Sequence, residues 1–149
     1  MSQKRITTYI LILWVGVIWA NSLMPGSISS TQSGFVVGVF SFIFDRIGIT
    51  VSDDVLSSLI RSIAHYVEFL FLGLLLALRF SKLTFAYLLG TAVLLIDEII
   101  QIFVPGRAFE VKDLLIDSFG LLTGLLIIFL FTLKSRRNRT KSLEHDVKP

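Results

Sequence analysis

Four long apolar runs, each bracketed by polar or charged residues, set the outline of this chain. Lys4 and Arg5 precede residues 6–23, an 18-residue run that carries Trp14 and Trp19. A membrane-spanning helix needs about 20 residues, with a range of about 17–25, so this run predicts a first span. The competing assignment is a cleaved signal peptide, since Ala20-Asn21-Ser22 weakly resembles a small-residue cleavage site. The length of the run and its two aromatics favour the helix. Pro25 and Gly26 then break it, and a Ser/Thr-rich stretch follows to Ser33.

Residues 34–44 are apolar but only 11 long before Asp45-Arg46. That is too short to cross, and it predicts a short interfacial or re-entrant helix between the first and second spans. The alternative is a spanning segment 34–51 that carries Asp45 and Arg46 with it, which would invert everything after it. Ser52 reads as an N-cap opening another helix, and from Arg61 the chain enters the second span, residues 62–78, closed by Arg79 and Lys82. The third span, 83–104, is interrupted by Asp97, Glu98 and Gln101 and ended by Pro105-Gly106. A polar loop, 107–112, leads to the fourth span, 114–133, which carries Asp117. The polar tail, 134–149, is expected to stay flexible. The fold class is therefore all-α integral membrane, a single domain of four transmembrane helices plus the short helix.

Composition agrees. The chain is 54% hydrophobic and 17% charged, with a mean hydropathy of +0.79, whereas a soluble domain is nearer 45–50% apolar and about 25% charged. There is no cysteine, which excludes disulfides, a catalytic thiol and Cys-ligated metal. The net charge of +3 does not point to nucleic acid, because the basic residues sit at the ends of the apolar runs. Their asymmetry instead sets orientation. Lys4, Arg5, Arg79, Lys82 and the basic cluster after Leu133 fall on one side; Arg46, Arg61, Arg107 and Lys112 fall on the other. The expectation is a multi-pass cell-membrane protein with both termini in the cytoplasm.

That orientation brings the polar residues of three spans to the outer end. A charged side chain at the bilayer centre costs roughly 2.5–3.5 kcal/mol on insertion scales, so these groups should face one another or a polar cavity. Helical geometry advances about 100° per residue. Arg61, His65 and Glu68 share one narrow face, and Asp97, Glu98 and Gln101 fall within one arc. Asp113, Asp117, Gly120 and Gly124 share a stripe about 60° wide. The Gly120-x-x-x-Gly124 pair lets another backbone approach that same stripe, so the acidic face of the last span is also its packing face. Whether the pair joins helices within one chain or between subunits stays open.

Glu68, Asp97, Glu98 and Asp117 are the candidate catalytic groups. Arg61, His65, Gln101, Arg107 and Asp113 are candidate substrate-binding groups. Five carboxylates stand against Arg61, Arg107 and Lys112, so the excess acid must be protonated, paired or neutralised by a cation. Acids could hold Mg²⁺ or Mn²⁺ as oxygen ligands, but no metal set is assigned and no cofactor is required. The bland alternatives are a helix–helix hydrogen bond for His65 and Glu68, headgroup anchoring for Arg107, and an N-terminal cap for Asp113.

Several of these residues carry a resemblance. His65-x-x-Glu68-Phe69 with Leu72-Gly73, then Asp97-Glu98-x-x-Gln101-x-Phe103-x-Pro105-Gly106-Arg107, then Asp113-x-x-x-Asp117-x-x-Gly120-x-x-x-Gly124, resemble the motifs of VanZ-like membrane proteins, and Trp19-x-x-Ser22-x-x-Pro25 is similar to that family's N-terminal signature. The resemblance covers about residues 14–128. The chain departs from the pattern at Asp117, where the family commonly has Asn, and at Glu68-Phe69, where a Tyr often stands. The resemblance implies an accessory protein of the cell envelope, associated with low-level teicoplanin resistance. Three functions are carried forward: a pocket for an envelope lipid or wall precursor, a membrane hydrolase or transferase on a lipid phosphate, and a small ion-coupled transporter. The third is disfavoured because the cytoplasmic halves of the spans are almost wholly apolar.

Overall fold

The structure, a computed structural model, describes residues 3–48 and 50–146. Five helices follow in order: α1 Gln3–Ser22, α2 Gly26–Arg46, α3 Asp53–Arg79, α4 Leu83–Ile102 and α5 Val111–Asp146. Helices α1, α3, α4 and the first part of α5, Val111–Ser135, are long and apolar enough to cross a membrane. Large apolar side chains remain exposed all around them, among them Leu13, Leu88, Phe119 and Phe131. In water such a surface would drive association; in lipid it is the surface a bundle needs.

Three boundaries differ from the sequence expectation. The helix between the first two spans is 21 residues long, not 11, because the Ser/Thr-rich stretch after Pro25 is helical from Gly26. Pro25 precedes that helix in extended conformation (φ −52°, ψ 145°), which suits a residue with no backbone donor at a helix entry. α3 is one continuous helix of 27 residues from Asp53, so the second span begins well before residue 62. The tail expected to be flexible continues as helix α5 to Asp146; residues 147–149 of that tail lie outside the described residues.

Helix α2 does not cross the bundle. Its first residue is tied to the α4–α5 loop by Gly26 N–H donating to the Pro105 carbonyl (3.1 Å). It leads into the part of α3 that meets the start of α5, where Lys112 Nζ donates to Ser58 Oγ (3.0 Å). Both ends of α2 therefore lie at the same end of the bundle, which rules out the spanning alternative for 34–51 and keeps α3, α4 and α5 in the expected directions. The start of α1 and the end of α3 meet at the opposite end, where Arg79 Nε donates to Thr8 Oγ1 (2.7 Å), and α5 runs toward that end as well.

The seam of the bundle is α3 against α5, the most extensive helix pair. A Cβ placed on Gly120 would land on the Tyr66 carbonyl oxygen, one on Gly124 on the Leu70 carbonyl oxygen, and one on Gly73 on the Leu121 carbonyl oxygen. Three glycines thus bring two backbones into direct contact, the close approach that small residues permit in membranes. The packing face of Gly120 and Gly124 is filled by this chain's own α3. Around the seam, Ile18, Phe69, Leu72, Leu76, Leu94, Leu121 and Leu125 form the core.

The α4–α5 loop turns at Gly106, whose φ of +76° lies in the left-handed region. A side chain there is strained by about 1–3 kcal/mol. Gly106→Ala is expected to destabilise the purified chain by that order, read as a lower melting temperature, and an unchanged melt would mean the loop tolerates another conformation.

Candidate functional site

At the end of the bundle opposite the termini, side chains from four helices meet. Asp97, Glu98, Gln101, Asp113 and Asp117 are each at most 2% exposed, and Ser22 and His65 are also buried. Helix geometry explains the gathering. Asp97 and Gln101 lie one turn apart near the end of α4, while Asp113 and Asp117 lie one turn apart at the start of α5. Because these helix ends face the same side, both pairs are brought level with Arg61, His65 and Glu68 in α3.

The connections form two strands of contacts. In the first, Ser22 Oγ donates to Asp97 Oδ1 (2.5 Å) and Gln101 Nε2 donates to Asp97 Oδ2 (3.1 Å). Arg61 Nη2 in turn reaches Gln101 Oε1 (3.4 Å) and Asp113 Oδ2 (3.3 Å). In the second, His65 Nδ1 lies 3.2 Å from Asp117 Oδ1 and its Nε2 lies 4.0 Å from Asp113 Oδ2. The imidazole is thus framed by two carboxylates, a setting that fixes its ring orientation. Asn21 Nδ2 donates to Glu68 Oε1 (2.5 Å), and Trp14 Nε1 donates to the Glu68 carbonyl (3.0 Å).

Arg107 lies at the rim and is turned toward the backbone. Its Nε donates to the Met24 carbonyl and its Nη2 to the Asn21 carbonyl, each at 3.3 Å. A cation on carbonyls at and just beyond the end of α1 opposes the negative end of the helix dipole. Burial, with Arg61 nearby, pulls the Arg107 guanidinium below its ordinary value, yet an arginine remains protonated. Lys112, counted with the cluster in the sequence, instead points outward to Ser58. Asp113 lies in the first turn of α5 and directs its carboxylate to Arg61.

The cluster is not fully satisfied. Glu98 Oε2 accepts from the Glu110 backbone N–H (3.4 Å), but Glu98 Oε1 and Asp117 Oδ2 are buried with no hydrogen-bond partner. Asp113 Oδ2 is within ion-pairing reach of Arg61 but outside hydrogen-bonding geometry. Each unpartnered buried polar atom costs about 1–3 kcal/mol, more when charged. Three such oxygens in one cluster mark the place where the bundle trades stability for something else.

Two residues of the cluster escaped the sequence reading. Asn21 and Ser22 read there as the end of a helix, Ser22 also as part of the N-terminal signature and neither as a site residue, whereas each holds a carboxylate from another helix. The available signal was an amide and a hydroxyl in succession at the close of an apolar run, one turn beyond Trp19.

No curated protein and no solved structure matches the chain. Residues 7–132, which contain every residue of this cluster, match the family model described as VanZ/LLP1, and the chain belongs to that family.

Proposed function

We propose that this membrane protein is an accessory protein of the cell envelope: its polar cluster opens to the outer side and binds or acts on an envelope lipid or wall precursor, altering susceptibility to teicoplanin-type glycopeptides. The observation that carries the proposal is the convergence of five carboxylates, His65, Arg61 and Arg107 at the end of the bundle opposite both termini. Basic residues favour the cytoplasmic side, and Lys4, Arg5, Arg79, Lys82 and Lys134 lie toward the terminal end. With both termini in the cytoplasm, the cluster meets the outer leaflet. Arg61, whose side chain is 31% exposed, gives a visiting headgroup a charged group to meet, and its planar fork suits a phosphate or carboxylate.

The framing of His65 by Asp113 and Asp117 favours a second reading, a hydrolase or transferase acting on a lipid phosphate, with His65 or Glu98 moving the proton. The transporter reading loses ground for a physical reason. Phe69, Leu72, Leu76, Leu94, Leu121 and Leu125 fill the core between the cluster and the terminal end, and a path for charge would need polar groups there.

Expression in a glycopeptide-susceptible Gram-positive host tests the proposal. The wild-type chain is expected to raise the inhibitory concentration of teicoplanin, and Glu98→Gln, expressed at the same level, to return it to that of the empty vector. Equal susceptibility of all three strains would overturn the envelope reading. Turnover of a polyprenyl phosphate by the purified chain, lost on replacing His65, would favour the second.

A further inference from the structure

We infer that His65, Asp97 and Asp117 form a binding site for one divalent transition-metal ion of the Zn²⁺ or Mn²⁺ class. The three residues come from α3, α4 and α5, all are buried, and each offers a ligand atom within 4.8 Å of the other two. Donors about 2.0–2.2 Å from a tetrahedral ion stand roughly 3.4 Å apart. Closing the triangle therefore takes side-chain movements of the order of 1 Å, with no change in the helices.

The second observation is the unpartnered Asp117 Oδ2, an oxygen of a fully buried carboxylate that no donor approaches. A buried carboxylate oxygen needs a donor, a proton or a cation, and this one belongs to the group that completes the triangle. The surroundings suit an ion as well. Both oxygens of Asp97 are already aimed by Ser22 and Gln101, and each keeps a lone pair for a metal. Outer hydrogen bonds of this kind orient ligating carboxylates in metal sites. An ion between His65 Nδ1 and Asp117 would take the place of their contact and leave Nε2–H facing Asp113, 4.0 Å away, where a carboxylate steadies the ring of a metal-bound histidine.

Charge and donor type narrow the class. Two carboxylates and one neutral imidazole balance a divalent cation, which relieves like-charge repulsion inside a medium that cannot solvate it. A mixed nitrogen and oxygen set suits Zn²⁺, Mn²⁺ or Fe²⁺; Ca²⁺ and Mg²⁺ prefer oxygen alone.

The inference does not rest on the envelope reading, because its test uses the purified chain alone. The protein in detergent or lipid discs is stripped with a chelator, dialysed against Zn²⁺ or Mn²⁺, and assayed for bound metal and for melting temperature. About one ion per chain is expected, together with a rise in melting temperature that scales with metal concentration, as for any ligand of the folded state. Asp117→Asn keeps the shape and removes the charge, and is expected to weaken binding at least roughly tenfold; His65→Gln is expected to do the same, and Lys112→Ala to leave binding unchanged. Should Asp117→Asn not yield folded protein, the wild-type stoichiometry and His65→Gln decide. No stoichiometric metal in the wild type would overturn the site, as would a closed proton-sharing network indifferent to metal. So would binding of Ca²⁺ or Mg²⁺ that survives the loss of His65.

Discussion

Gly124→Ala is expected to destabilise the purified chain more than a methyl group added at most other positions, by about 3 kcal/mol, at the upper end of the usual overpacking cost. The new Cβ would fall on the Leu70 carbonyl oxygen, with the Leu74 nitrogen and the Gly73 carbonyl carbon close behind. None of these is a side chain that can rotate away. α5 must lift off α3, and the displacement carries Asp113 and Asp117 away from Arg61 and His65. Gly120→Ala meets the Tyr66 carbonyl oxygen in the same way. Gly16→Ala is the control, since a Cβ there enters open space, and alanine is the better helix former by about 1 kcal/mol. Thermal unfolding followed by size-exclusion chromatography compares the three. Equal melting of Gly124→Ala and wild type would mean that the two backbones are farther apart than described.

Gln101→Leu is expected to cost about as much, roughly 3 kcal/mol, for the opposite reason: the space stays filled and the polar contacts vanish. Gln101 is fully buried, donates to Asp97 Oδ2 and accepts from Arg61 Nη2. Removing it strands Asp97 Oδ2, worth about 1–3 kcal/mol when buried, where lipid offers no water in exchange, and takes one acceptor from Arg61, which is part-exposed and keeps Asp113. A double-mutant cycle with Asp97→Ala separates the terms. If Gln101 acts mainly by holding Asp97, its replacement costs much less once Asp97 is gone; full additivity would place the effect on Arg61 alone.

The four spans were legible in the sequence because a bilayer imposes a length and an apolar content that few other environments demand. Their polar faces were legible too, since period alone placed Asp97 beside Gln101 and Asp113 beside Asp117. The extent of α2 was not, because Pro25, Gly26 and the Ser/Thr-rich stretch after them read as a loop by composition. The helix beyond Lys134 was hidden similarly by its charge. Partnership across helices was least legible. The pattern put Arg107 near the acids, but that its guanidinium would turn to the Met24 and Asn21 carbonyls depends on Gly26 and Gly106 bringing two loops together. The roles of Asn21 and Ser22 depended on the same closure.

The α3–α5 seam also bears on how the chain is made. α5 is synthesised last, so His65 and Asp97 enter the bilayer before Asp117 and the rest of their covering helix exist. The first helix supplies an interim remedy: Asn21 and Ser22 are already in the membrane and can take Glu68 and Asp97 as soon as α3 and α4 arrive. The polar end of α1 thus supplies partners for two buried acids that do not depend on the last helix.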